Sequence, residues 1–290
     1  MPNKKKLTAA ILNITTEPPH SADRYRSLLT FLRDTENLIS GKVSKRENLM
    51  LQYCGINGDI ASGAFAVYTY IDPSVPWFDP ATRKALVDEK GQPIPQVRSG
   101  IGPNLRPIDF MLFIKDHRLT FTTREIHPKS FAKGISNLFE HPLILEKFGP
   151  INVTIEPSHD IFQQIINIPH KSKIQISLSL PNSDVPSQME RDIYERFKRV
   201  GVSKVDQLYG GQKGRDIEPD EEMLATMKIG KSNGYVKVTG AGPDGKKVTL
   251  STLDYPRTMS EFYQESDKWA TFVKISRRLV DLVRGRREEG

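Results

Sequence analysis

Apolar residues recur along this chain with two spacings, two residues in some stretches and three to four in others. The cleanest alternation, Lys-Ile-Gln-Ile-Ser-Leu-Ser-Leu at 173–180, sets Ile174, Ile176, Leu178 and Leu180 on one face. Gln175, Ser177 and Ser179 fall on the other, which predicts a half-buried strand. Residues 7–15 alternate more weakly and residues 151–155 clearly, each predicting a strand. Three hairpins follow from apolar runs flanking turn residues: 49–56 with 64–71 around Asn57-Gly58-Asp59, 110–114 with 119–123 around 115–118, and 235–239 with 248–252 around 242–245. Helical spacing links Tyr25, Leu28, Leu29 and Leu32 behind a capping Ser21 or Asp23. It links Phe131, Ile135, Leu138 and Phe139 behind His127-Pro128, with a short helix then running to Phe148. Residues 161–168 and 189–200 predict two more helices. In the last, 267–290, Trp269, Phe272, Val273, Ser276, Leu279, Val280 and Val283 form one stripe.

Strand pairs joined by short turns, with helices between the pairs, predict an α+β fold with largely antiparallel sheets and two subdomains. Gly149-Pro150 and the Pro256 region are the expected boundaries. They divide the chain into a core of 1–148 plus 259–290, closed by the C-terminal helix, and a smaller inserted α+β domain of 149–258. Residues 72–107 are rich in Pro and Gly and show no period. The strand-borne aromatics Phe65, Tyr68, Tyr70, Phe110, Phe113 and Phe121 are expected in the core.

Charge changes the picture. The net charge is +7 over 290 residues, which favours an anionic partner, nucleic acid above all. No apolar run reaches the roughly 18 residues of a membrane span, so membrane insertion is not expected. Cys54 is the single cysteine, so there is no internal disulfide framework; with no signal-peptide pattern at the start, a reducing cytoplasm is the expected compartment.

The basic residues concentrate in two places. Lys268, Lys274, Arg277, Arg278, Arg284, Arg286 and Arg287 mostly lie off the apolar stripe of the terminal helix. They suit phosphate contacts, or else a solvated face whose late arginines complement the helix dipole. The loop Gly210-Gly-Gln-Lys-Gly-Arg215 lets backbone N–H groups approach an anion while Lys213 and Arg215 add charge; a flexible linker is the alternative. Lys237, Lys246 and Lys247 are expected on one face of the late hairpin, where lysines track phosphates without reading bases. No histidine has metal-ligand spacing, and no nucleophile or phosphate-loop motif is present, so neither a cofactor nor a catalytic residue is expected.

Three segments carry a resemblance: the opening Leu7-Thr-Ala-Ala-Ile-Leu-Asn-Ile14, Pro76-Trp-Phe-Asp79, and the hairpin from Pro107 to Phe121 through Lys115-Asp-His-Arg-Leu119. They resemble a bacterial family of unknown function found near mobile and defence genes. More distantly, the order of elements is similar to that of the RexA-type phage-exclusion proteins. It runs through Val153-Thr-Ile-Glu-Pro157, the alternating strand, the late hairpin and the basic terminal helix. That likeness implies a homodimeric, sequence-independent binder of duplex DNA in phage defence. Beside it, RNA is a second possible target and a phage or defence-system protein a possible further partner. The alternative is a metal-independent ribonuclease, with His20 as general base and Lys213 or Arg215 stabilising phosphorane charge. A third is a protein-interaction subunit whose charge is incidental.

Overall fold

A computed structural model describes residues 4–16, 21–97, 101–179, 188–202 and 204–288. In chain order the first elements are β1 (Lys5–Thr16), α1 (Ala22–Asp34), β2 (Gly41–Lys42), β3 (Glu47–Asn57), β4 (Ile60–Thr69), β5 (Trp77–Asp79), β6 (Lys84–Leu86), β7 (Arg106–Phe113), β8 (Arg118–Thr122), α2 (Pro128–Phe139), α3 (Pro142–Phe148) and β9 (Ile151–Ile155). There follow α4 (Ile161–Ile166), β10 (His170–Ser179), α5 (Gln188–Val200), β11 (Lys204–Gly210), α6 (Glu221–Asn233), β12 (Gly234–Ala241), β13 (Lys247–Ser251), β14 (Thr258–Tyr263) and α7 (Lys268–Glu288). The fold is α+β and its strand pairs are antiparallel.

The larger sheet runs β14-β1-β8-β7-β4-β3-β2, with β9 beside β1. One edge of β1 is shared: its first half pairs with β14 and its second half with β9, while β8 takes the other edge. Ala10, Leu12 and Ile14 face the core under α1, α2 and α3. Leu7, Ala9 and Ile11 face α7. Because both faces of β1 are covered, apolar residues occupy both registers, which explains its weak alternation. Ser21 caps α1, its side chain accepting from the Arg24 backbone N–H. Phe121 and Phe131 stack at 4.0 Å between sheet and α2.

Helix α7 lies on the opposite face. It buries Phe272, Ile275, Ser276, Leu279 and Val280 against β1, β7 and β14. The expected stripe shifts: Ile275 joins it, and Trp269 is 45 % exposed. Ser276 is at home there because the Thr120 hydroxyl donates to its Oγ at 2.8 Å. No helix among the described residues is long and apolar enough to cross a membrane.

The smaller sheet runs β11-β10-β12-β13. Ile174, Ile176 and Leu178 are buried, as alternation predicts; Leu180 lies outside the described residues. Helices α4, α5 and α6 cover that one face. The chain reaches this unit and leaves it through two adjacent segments. Arg257 N–H donates to the Glu156 carbonyl at 2.7 Å and Ser158 N–H to the Tyr255 carbonyl at 2.7 Å. The Arg257 guanidinium also donates to the Pro157 carbonyl.

Six elements escape the periodicity: β2, β5, β6, β11, β14 and α6. Strand β14 falls in a stretch without apolar alternation, and α6 runs from the polar Glu221-Glu222 through an apolar centre at 223–229 into the turn-like Gly230-Lys-Ser-Asn233. Helix α6 owes its seat to Gly230, where a Cβ would stand 2.9 Å from Ile176 Cγ2 and 3.2 Å from Leu178 Cδ2. Gly230→Val is expected to lower stability by about 1–3 kcal/mol through overpacking, measured by urea unfolding.

Tyr68 and Tyr70 also depart from expectation. The four phenylalanines named with them are buried, but Tyr68 is only half-buried and Tyr70 is 41 % exposed. Both line a cavity beneath an arm, described at residues 71–97 and 101–105, that carries the small β5–β6 hairpin.

Candidate nucleic-acid interface

With α4, α5 and α6 on one face of the smaller sheet, the other face is exposed at its lysines among the described residues and buried toward Ser177 and Ser251. The register places its residues. Gln175 lies opposite Lys237 and Lys173 opposite Thr239. Lys237 lies opposite Ser251, Thr239 opposite Thr249 and Ala241 opposite Lys247. On the far side, Ser179 lies opposite Lys204 and Ser177 opposite Asp206. Directly opposed residues share a face, so Lys173, Lys204, Lys237 and Lys247 project from four adjacent strands to the same side. All four are exposed. Among the described residues Lys173, Lys237 and Lys247 have no carboxylate partner. Lys204 pairs with Asp206 at 3.3 Å, and hydrogen bonding from Ser177 helps hold that carboxyl below its ordinary range.

One end of this face gathers the loop residues singled out from the sequence. The Gly210–Arg215 loop leaves β11 beside Lys173, with Gly211 N–H bonded to the Ser172 carbonyl at 2.9 Å. Gly214 adopts φ +79°, where glycine avoids the Cβ clash. Lys213 and Arg215 are exposed, with no ion pair among the described residues. The turn bearing Lys246 lies at the same end, since Ala241 pairs with Lys247 and His170 with Ala241. Lys246 itself bonds Asp244, whose carboxyl is held low by the Lys246 backbone N–H first. Lys237 and Lys247 therefore share a face, while Lys246 belongs to the turn.

The other end opens into a cleft against the larger sheet. A cavity of about 520 Å³ lies between Lys129, Lys133 and Asn137 of α2, Thr154 of β9, and Ser177, Lys204 and Tyr235 of the smaller sheet. Lys129 is tied to Asp254. Glu140 adds one carboxylate to the lining.

The terminal helix differs. Lys274 bonds Glu261 at 2.8 Å and Arg278 bonds the same carboxylate at 2.5 Å. Arg284 makes a two-pronged pair with Asp116 at 2.5 Å. Lys268 bonds Asp109 at 2.9 Å. Arg277 alone of the helix residues singled out is exposed without a carboxylate partner among the described residues. The Arg286 and Arg287 side chains lie outside the described residues. Lys274, then Arg278, holds the Glu261 carboxyl below its usual range. These pairs thus persist through mild acid and are lost only as pH falls through that lowered value. Helix α7 packs on the larger sheet, whereas the glycine-rich loop bonds to β10. The basic residues read from the sequence thus form two groups on two sheets.

Of the histidines, His127 and His141 cap α2 and α3 through Nδ1, and His170 bonds Asp216 at 2.8 Å. His20 lies outside the described residues. No group of three or more His, Cys, Asp or Glu side chains among the described residues is placed to hold a metal. Lys173, Lys204 and Lys133 do not stand out in the sequence as site residues. Lys173 nonetheless opens the cleanest alternating strand on its polar phase, a signal that could have found it.

No curated protein matches the chain. Residues 5–277 match the family model described as a domain of unknown function, DUF4747, and the chain belongs to that family.

Proposed function

We propose that this is a non-enzymatic, largely sequence-independent DNA-binding protein, and that the lysine-bearing face of the β11-β10-β12-β13 sheet is its binding surface. The observation that carries the reading is that face, where Lys173, Lys204, Lys237 and Lys247 are met by the single carboxylate of Asp206 among the described strand residues. Lysines act as point charges on phosphates and do not read bases. Lys213, Arg215 and Lys246 extend the surface at one end, and the α2–β9 cleft with Lys133 extends it at the other. The face favours duplex over single strands. Its one aromatic, Tyr235, is half-buried and accepts a hydrogen bond from Gln175 at 2.8 Å, so no row of exposed rings offers stacking for unpaired bases. A role in phage defence and a homodimeric state are supported only by the RexA-type resemblance.

Fluorescence anisotropy with two unrelated duplexes at several salt concentrations tests this. The two affinities should agree within about threefold, and log K should fall with log salt by about 0.9 per neutralised phosphate. Absence of binding at low salt ends the reading. Cleavage of labelled RNA under the same conditions, lost in His20→Ala, would replace it with the ribonuclease.

A further inference from the structure

The larger sheet is covered unevenly on the face away from α1, α2 and α3. Helix α7 seals the part built by β14, β1, β8 and β7. Over β3 and β4 the cover is the arm, described at residues 71–97 and 101–105, and beneath it lies a cavity of about 680 Å³. Its floor is Asn48, Met50, Gln52, Ala66 and Tyr68 from the two strands. Its roof includes Pro73, Val75, Trp77, Ile94 and Val97 from the arm.

Two features point to a binding site. First, none of the described lining residues is ionisable as an acid, a lysine, an arginine or a histidine. In a protein with net charge +7, a cavity of this size without a cation excludes the polyanion that the other surface attracts. A charged ligand would lose its hydration here and gain no counter-charge. The polar groups are amides and hydroxyls. Asn48 is 8 % exposed and donates from Nδ2 to Ser40 Oγ at 3.2 Å.

Second, the roof is hydrogen-bonded to the sheet only at its stems, among the described residues. Tyr70 N–H reaches the Arg46 carbonyl at 2.8 Å, Thr69 N–H the Pro103 carbonyl at 2.9 Å, and Asn104 Nδ2 the Thr69 hydroxyl at 3.1 Å. Between the stems the described hydrogen bonds of the arm are internal. Asp72, Asp79 and Asp88 accept from backbone N–H groups within their own turns, and Ile94 N–H bonds the Leu86 carbonyl. Roof and floor therefore face each other across a mostly apolar lining, with no hydrogen bond between them away from the stems among the described residues. Val75 remains 57 % exposed and Ile101 57 % exposed at the rim.

We propose that this cavity binds a neutral, largely apolar small molecule, gripped between Met50, Ala66 and Tyr68 below and Val75 and Trp77 above. Its volume lies within the roughly 300–1,000 Å³ of small-molecule sites, which are mostly apolar with a few placed polar groups. The Asn48 amide would orient one hydrogen-bonding group of the ligand. This site is independent of the DNA surface.

The test titrates the full chain with Nile red, an uncharged apolar dye, and follows its emission. Saturable, one-to-one binding with a blue shift is expected. Val75→Asp, at an exposed roof position that tolerates substitution, should weaken it by about tenfold or more by placing a carboxylate in the lining. Ala66→Phe should do the same by filling the floor, with circular dichroism confirming its fold. Phe78→Asp, next to Trp77 but outside the lining, should leave affinity within about twofold, as surface substitutions do. Anionic anilinonaphthalene sulfonate should bind more weakly than Nile red. Non-saturable binding, or equal response of Val75→Asp and Phe78→Asp, would overturn the proposal.

Discussion

Reversing charge at Lys173, Lys237 and Lys247 together is expected to weaken duplex binding by about a hundredfold or more at low salt, since each neutralised phosphate contributes through counterion release. The three occupy adjacent strands β10, β12 and β13 on one face and have no carboxylate partner among the described residues, so their charge is available to a ligand. All three are exposed, and exposed lysine substitutions usually change stability by only about 0.5 kcal/mol, so the fold should persist. Neutral Gln versions give the quantitative check: the salt slope should shrink by roughly 0.9 for each phosphate that is no longer neutralised. The contrasting variant is Lys274→Gln with Arg278→Gln. Both cations already bond Glu261, so their removal should change affinity by about twofold or less, the modest effect of an exposed, already satisfied pair. Anisotropy titration of both variants decides the matter. If the helix pair matters more than the sheet triplet, the binding surface is α7.

Arg118→Met should lower the unfolding free energy by about 3–5 kcal/mol, the range for removing one partner of a buried ion pair. Arg118 is 4 % exposed and Glu156 is 8 % exposed, with the guanidinium 2.9 Å from the carboxylate. Arg118 also donates to Asn13 Oδ1 and, at 3.2 Å, to the Asp116 carbonyl. Asp116 in turn holds Arg284 of α7. Glu156 precedes Pro157 at the point where the chain leaves the larger sheet, and its carbonyl accepts from Arg257 on the returning segment just before β14. The pair therefore fastens the stem of the smaller unit to β1 and β8. Removing only the arginine leaves a buried carboxylate without its counter-charge. The double variant Arg118→Met with Glu156→Leu should recover a large part of the loss, because a packed apolar pair replaces the ions. Urea denaturation of both separates the readings. A loss below about 1 kcal/mol in the single variant would mean that water compensates the carboxylate.

Much of the local structure was legible. Ser21 beside the Tyr25-Leu28-Leu29-Leu32 spacing fixes the start of α1, and Gly58 at φ +58° serves the first hairpin turn that Asn57-Gly58-Asp59 predicts. Helix α6 was not legible, because a glycine that looks like a breaker is the residue that lets the helix sit on Ile176. Trp269 and Ile275 exchanged expected roles because the stripe on α7 is set by which strands lie beneath it.

The sequence alone determined that the chain is α+β, where its hairpins turn, and that it carries a basic excess. Those properties live in windows of a few residues, where backbone sterics and side-chain period act directly. The tertiary structure decided which cations remain available. Lys274 meets Glu261 and Arg284 meets Asp116 across 13 and 168 residues of chain, separations at which no local pattern speaks. It also decided which sheet faces are covered. Alternation assigns side chains to two sides of a strand, but only the packing of α4, α5, α6, α7 and the arm that follows β4 determines which side meets solvent, core or cavity.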